Sequence, residues 1–378
     1  MANEVTAFIP TLWSKRVQLL KKRKSIIYAI GNFEEQATLV FGSEVVRPFM
    51  LDDLEINKYT RGEDGEEQSI KTAPEKLLID NENEITVYID TNDEKQSKYS
   101  IEKQFTERAS NLLAANEDGR FLEEILFAEY SLDAGAVTKA NVADIVVAAK
   151  DELTVNDVED SGLHLVAPSK MMSAIELNVV KDGFNLADST LKNGYAGDFV
   201  GVSCYKSNNL PHVTELSKNP ADGDTITING VKITFKTTPA AAGDVKVGSS
   251  LADSLENANK VLLGEKRDTA TGKALSNENR KKVKRVRAKL ILGENNKAFV
   301  FTSGRAIVSL TGFATAKTYV YAMIGPKGTI DCVIQEMPDI QRNKAPKRKG
   351  YFFLATDLFG VKAFKEGRER MIKIKMEA

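Results

Sequence analysis

The sequence predicts an α+β chain of several domains, and three observations carry that prediction. One long stretch, Ile101 to Tyr130, has apolar residues at helical spacing. Short runs of alternating polar and apolar residues lie on both sides of it. A middle region of alternating helices and strands is interrupted by a segment of different character. A length of 378 residues exceeds one ordinary domain, and an apolar content of 42% suffices to bury a core.

The first 50 residues do not read as a compact unit. From Thr11 to Ile27, apolar Leu12, Trp13, Val17, Leu19, Leu20, Ile26 and Ile27 interleave with Lys15, Arg16 and the run Lys21, Lys22, Arg23, Lys24. Two readings stand for that basic run: the solvated face of a surface helix, or an arm lying across another molecule. Residues 59–84 are polar and glycine-punctuated around Glu63, Asp64, Gly65, Glu66 and Glu67, with Leu77, Leu78 and Ile79 on one flank. This predicts a projecting β-loop with two long strands around an acidic tip.

Residues 85–135 hold the strand Ile85–Asp90 and the long helix. Ser100 is placed as its N-cap, and Ile101, Phe105, Ala109, Leu112, Leu113, Phe121, Leu122, Ile125 and Leu126 form its stripe, with Gly119 as a kink point. Residues 136–212 predict an α/β unit: a helix over 141–153, a strand over 163–167, a helix from Ser169 after Pro168, and a strand from Phe199 to Tyr205. Residues 213–316 predict a separate small α+β module. Its hairpin reads Ile226, Ile228, Asn229-Gly230, Val231, Ile233, Phe235; a helix over 250–263, a basic run from Arg280 to Lys289 and two strands follow. Residues 317–340 resume the interrupted unit, and the chain ends in strands at Asp331 to Gln335, Tyr351 to Ala355 and Arg370 to Met376.

Little in the chain points to catalysis. Its two histidines, His164 and His212, make no His-Glu-x-x-His pattern, and Cys204 and Cys332 make no metal-ligand spacing. Gly243 to Ser249 has the glycine interval of a phosphate loop, but Ser249 stands where the lysine belongs. No nucleophile elbow occurs. The sequence therefore predicts no catalytic, cofactor-binding or metal-ligating residue, and no cofactor. Fifty-two basic residues against fifty-three acidic ones exclude a frankly basic nucleic-acid-binding domain. They suit a subunit that packs against copies of itself, since long-range repulsion is small. No run approaches the roughly 20 apolar residues of a membrane span, so no membrane partner is expected.

The passage Gly194-Tyr195-Ala196-Gly197-Asp198-Phe199-Val200-Gly201-Val202, running into Ser207-Asn208-Asn209-Leu210-Pro211, resembles tailed-phage major capsid proteins of the Hong Kong 97-like fold. The strand-to-helix step Leu165-Val166-Ala167-Pro168-Ser169 and the opening Ile9-Pro10-Thr11-Leu12-Trp13 resemble the same family, as does the order of segments. The resemblance implies an N-terminal arm (1–58), an extended loop (59–84), a peripheral domain with a spine helix (85–135), an axial domain (136–212 and 317–340) and a final return to the peripheral domain (341–378). The module at 213–316 would be an insertion in the axial domain.

The same resemblance implies a structural, non-enzymatic role. Copies would join as pentamers and hexamers into an icosahedral head around double-stranded DNA, assembled in a bacterial host cytoplasm. The implied partners are a separate scaffolding protein, a portal and auxiliary or decoration proteins. The loop tip (Glu63, Asp64, Glu66, Glu67) would face a basic surface on a neighbour, with Arg342, Lys344, Lys347, Arg348 or the arm residues Lys21, Lys22, Arg23 and Lys24 as candidates; two unrelated solvated loops are the competing reading. Some relatives crosslink a loop lysine. Lys71 and Lys76 lie in that segment, but no asparagine-and-glutamate context identifies a partner. Encapsulin compartments share the fold and are the first alternative; an enzyme with no recognisable motif is the second.

Overall fold

The computed structural model describes residues 25–37, 43–50, 61, 69, 71–92, 101–181, 195–215, 219–228, 230–263, 272–276, 278–279, 283, 288–291, 298–301, 308–311, 317–344 and 349–377. The acidic loop tip, the basic run 21–24, Lys347 and Arg348 lie outside them.

The chain runs through a short helix α1 (Ile27–Ile30), β1 (Glu44–Met50), β2 (Thr72–Leu78), β3 (Asn81–Asp90), the long helix α2 (Ile101–Glu123) and β4 (Tyr130–Gly135). It continues through α3 (Val142–Val155), β5 (Leu163–Ala167), α4 (Ser169–Lys181), β6 (Tyr195–Phe199), β7 (Val202–Lys206) and β8 (His212–Glu215). Next come β9 (Thr225–Ile228), β10 (Val231–Lys236), β11 (Asp244–Lys246), α5 (Leu251–Leu263), β12 (Ala288–Ile291), β13 (Ala298–Phe301) and β14 (Val308–Thr311). The last elements are β15 (Lys317–Pro326), β16 (Asp331–Lys344), β17 (Gly350–Lys362), α6 (Lys365–Arg368) and β18 (Ile372–Glu377).

The largest sheet runs β12-β13-β8-β15-β5-β7-β6, with β18 paired to β15 and β4 beyond it. Its strand β15 alternates between two cores, as a period of two requires. Ala322 and Ile324 face α3 and α4, joining Val142, Ile145, Val146, Ala149 and Leu153 of α3, which recur at helical spacing. Tyr321 and Met323 face the other way, onto Phe121, Leu122 and Ile125 at the end of α2 and onto Ile27 and Ile30 of α1. A central strand clothed on both faces explains why Tyr319 to Ile324 is apolar at every position.

The three-stranded sheet β16-β17-β3 packs on the opposite end of α2. Ile89 and Phe353 meet Phe105, Ala109 and Leu113 there, with the Phe105 and Phe353 rings 5.8 Å apart and tilted by 51°. At about 1.5 Å per residue, the helix spans about 35 Å between the two cores. It is shorter than the sequence pattern suggests: Glu124–Phe127 is a 3₁₀ turn, and Tyr130 pairs with Ile372 as a strand. Tertiary pairing overrides a helical spacing that continues through Leu126.

A separate four-stranded sheet, β11-β10-β9-β14, has its own core of Ile226, Ile228, Ile233, Phe235, Val245, Leu255 and Leu262. The segment 213–316 is divided between two sheets, since β12 and β13 extend the large sheet from β8. Three further placements differ from the sequence reading. The stretch read as one strand from Phe199 to Tyr205 is a hairpin turning at Val200 and Gly201. The outgoing strand of the projecting loop is β1, upstream of 59–84. The last strand, β18, joins the large sheet rather than the layer of the long helix.

Candidate functional site

β1 and β2 form a two-stranded ribbon in full register from Glu44↔Leu78 to Met50↔Thr72. One face of the ribbon, carrying Val45, Arg47, Phe49, Ala73, Glu75 and Leu77, is covered to varying degrees by the body of the molecule. Leu77 is fully buried there with Val333, Ile79 and Phe364. The outward face is mixed: Val46, Met50 and Leu78 are each about half exposed, at 48%, 52% and 52%, beside Thr72 and an ion pair of Lys76 with Glu44 at 3.0 Å. The opposed pair Pro48↔Pro74 also lies on this face. Neither proline has an N–H for a ladder bond, so the ribbon is suited to contact by its face rather than by added strands.

Arg47 and Glu75 are direct cross-strand partners of opposite charge, yet each is drawn to a different part of the body. The Arg47 guanidinium donates from Nη2 to Glu35 Oε1 at 2.8 Å and to Asp331 Oδ1 at 3.1 Å, and lies 4.4 Å over the Phe364 ring. Asn32 Nδ2 donates to the same Asp331 oxygen at 3.0 Å. Glu75 receives Arg368 Nη2 at 2.7 Å on Oε1 and the backbone N–H of Lys365 at 2.9 Å on Oε2. Lys362 Nζ lies 3.4 Å from Glu75 and donates to the Lys76 carbonyl at 2.7 Å. Burial pushes the Asp331 carboxyl up to about 6, with the nearby charge of Glu35 adding to it; Arg47 and Asn32 oppose the shift without cancelling it. Burial works against the Arg47 charge, but hydrogen bonding and attraction to Glu35 and Asp331 win and raise its pKa.

Close approach is built in at the same root. A Cβ on Gly360 of β17 would lie 2.5 Å from the Leu78 carbonyl oxygen and 2.7 Å from Leu77 Cδ2. Only glycine lets β17 pass this close beneath the ribbon.

Of the residues singled out as contacts in the sequence, Arg342 and Lys344 are described. Arg342 is half-buried, stacked 3.9 Å over the Tyr351 ring and 5.7 Å from that of Phe353, so its stem braces the β16/β17 pair. Lys344 is exposed at the end of β16. The charged root around Arg47, Glu75 and Asp331 was not singled out. Its one sequence signal is a charge at the middle of an alternating apolar series, Val45-x-Arg47-x-Phe49 and Ala73-x-Glu75-x-Leu77.

The remaining chemistry-bearing side chains are packed as core. Cys204 and Cys332 are buried and form no disulfide, and burial pushes the Cys204 thiol up to about 12. Burial also lowers the pKa of His212, favouring its neutral form. Among the described residues, no group of three or more His, Cys, Asp or Glu is placed to hold a metal, and no helix is long and apolar enough to cross a membrane. A cleft of about 310 Å³ between the α4 start and the β7–β8 turn is lined mainly by Val137, Pro168, Met171, Leu210, Val320 and Met376.

A two-stranded ribbon, a long helix joining two cores and a mixed central sheet make up the fold, and it is that of phage capsid proteins. Solved structures place it there at very low sequence identity. That from Gordonia phage Cozz superposes with a TM-score of 0.51 at 9% identity, covering 94% of this chain and 87% of that one. That from Mycobacterium phage Che8 gives 0.50 at 13% identity, covering 93% and 91%. The capsid of Ralstonia phage GP4 gives 0.50 at 9% identity, covering 94% and 92%. No protein-family model and no curated protein sequence matches the chain.

Proposed function

We propose that this chain is the major capsid protein of a tailed phage, a structural subunit without catalytic activity. Copies of it join as pentamers and hexamers into a closed shell around double-stranded DNA. The observation that carries the reading is the ribbon: its inner face is clamped to its own subunit, while its outer face presents Val46, Pro48, Met50 and Leu78 to solvent beside the Glu44–Lys76 ion pair. An isolated subunit gains nothing from such a face; a neighbouring copy covers it. Likeness to phage capsid structures over nine-tenths of the chain supports the same reading. In this reading the acidic tip of Glu63, Asp64, Glu66 and Glu67 meets a basic surface next door, to which Lys344 contributes. Scaffolding, portal and auxiliary proteins are its partners.

Negative-stain electron microscopy of the purified chain, alone and co-expressed with a scaffolding candidate, tests this. Closed shells or capsomer rings are expected, with DNA rather than protein cargo in shells from infected cells. Reversing the four tip charges to lysine is expected to reduce the yield of shells. A persistent monomer under both conditions sinks the proposal.

A further inference from the structure

The large sheet carries an apolar cleft at one end of its parallel strands β5 and β7 and exposed valines at the other. The cleft, about 310 Å³ in volume, opens beyond the last residues of the two strands and is floored by Met171, Leu210, Val320 and Met376. Lys170 and one acidic residue, Glu377, stand among its lining residues. Lys139 and Lys206 are exposed within two residues of the lining Val137 and Ser207, so the surroundings are cationic on balance.

At the opposite end, Val155 closes α3 with 79% of its surface exposed. Val200, at the turn before β7, is exposed at the same end, and Lys150 of α3 donates to its carbonyl. Asp151, Glu152, Asp157, Glu159 and Asp160, on α3 and the loop after it, are all exposed. The one basic residue between 141 and 162, Lys150, is taken by Asp160 at 3.0 Å. Five residues of β5 separate the two ends, about 16 Å at 3.3 Å per residue, so a subunit cannot fill its own cleft with its own α3 end.

We propose that the cleft is the socket for the α3 end of a second copy: Val155 seats on the apolar floor while Asp151 and Glu152 meet Lys170 and Lys206. The proposal rests on the shell-subunit reading and names a contact that closes its pentamers and hexamers. Asp151 and Glu152 lie one turn before Val155, so one face of the helix offers an apolar tip with an acidic flank. The socket offers the converse, an apolar floor with lysines beside it. Pairing the same patch across a two-fold axis would set acid against acid. With knob and socket at opposite ends of one layer, each copy gives one and receives one, the head-to-tail contact that makes a ring when the rotation closes.

The test uses the full chain and reads capsomers and shells by size-exclusion chromatography and negative-stain electron microscopy. Val155→Arg changes a side chain that is solvated in the free subunit. It is expected to keep the wild-type urea midpoint while the yield of capsomers falls about tenfold, as for loss of an interface anchor. Lys170→Glu with Lys206→Glu is expected to lower the yield likewise, and adding Asp151→Lys and Glu152→Lys to that chain is expected to restore it. The changes at 170, 151 and 152 also suit the helix ends on which they fall. One measurement needs no variant: hydroxyl-radical labelling of Val155 is expected to fall about tenfold from free wild-type subunits to assembled ones, as the side chain becomes packed to interior density. The proposal is overturned, with the shell reading left standing, by wild-type yield from Val155→Arg or by unchanged labelling of Val155. So is it by no gain on adding the acidic reversals to a chain that keeps its urea midpoint. A wild-type chain that never assembles removes the shell reading first, and this contact with it.

Discussion

Val200 shows how one residue hides a turn from a sequence reading. The run Phe199-Val200-Gly201-Val202 has the composition of a continuous strand, because valine is among the residues least suited to a left-handed backbone. Yet Val200 has φ 52° and Gly201 φ 76°, the two positive angles of a two-residue hairpin turn between Phe199 and its partner Val202. The carbonyl of Val200 accepts from Lys150 Nζ at 3.2 Å, and that lysine also pairs with Asp160 at 3.0 Å, so the turn is tied to the helix α3 beneath it. Val200 itself is 42% exposed and loses little packing on replacement. Val200→Asn is expected to stabilise the chain by about 1 kcal/mol by removing backbone strain, read as a rise in the urea midpoint with unchanged slope. A lower midpoint would mean that the valine side chain contributes packing that outweighs the strain.

At the scale of elements, the sequence is most legible where one face of a strand or helix is buried by its own domain. The stripe of α2, the alternation of β3 and the Gly230-centred hairpin of β9 and β10 are of that kind, because burial and periodicity follow the same rule there. The ribbon strand β1 is not. Its outward positions are Glu44, Val46, Pro48 and Met50 and its inward ones Val45, Arg47 and Phe49, so apolar residues stand on both faces and polarity does not mark the covered one. Contacts far apart in sequence are likewise invisible. The short α1 has no side-chain cap of its own; instead Asp118, halfway round the fold on α2, accepts from Ser25 Oγ at 2.6 Å and from the N–H groups of Ile26 at 2.9 Å and Ile27 at 3.3 Å. This carboxylate does for α1 what an N-cap residue does, and ties the end of the arm to the spine. Asp118→Ala leaves those donors without this acceptor in a buried place and is expected to cost about 2–4 kcal/mol, measured by urea unfolding. Asp118→Asn keeps an oxygen acceptor and is expected to cost less. Equal losses for the two variants would show that charge rather than acceptance holds the arm.

At the scale of the whole molecule, the register of the large sheet shows where the chain leaves it for the four-stranded one. β8 runs antiparallel to β15, and the last residue of β8, Glu215, lies directly opposite the first residue of β15, Lys317. The described strands between them divide: β9, β10, β11 and β14 build the small sheet, while β12 and β13 lengthen the large one from β8. The core of the small sheet shares no residue with the two cores on either side of β15. A sequence reading could find the change of character near 213 and 316 but not this closure, since residues a hundred positions apart carry no local sign of being neighbours. The geometry makes excision a sharp test of the inserted-module reading. Replacing residues 216–316 by Asn-Gly should convert β8 and β15 into a simple hairpin, because that dipeptide suits a two-residue turn between strands already in register. The loss of the β12 and β13 partners turns β8 into a sheet edge but leaves both faces of β15 covered, so the shortened chain is expected to unfold in one cooperative transition. If 213–316 is a module added to a self-sufficient shell subunit, that chain folds and still forms capsomers or shells by electron microscopy. A chain that folds without assembling would make the small sheet part of the contact surface between subunits, and one that fails to fold would make it part of the core fold itself.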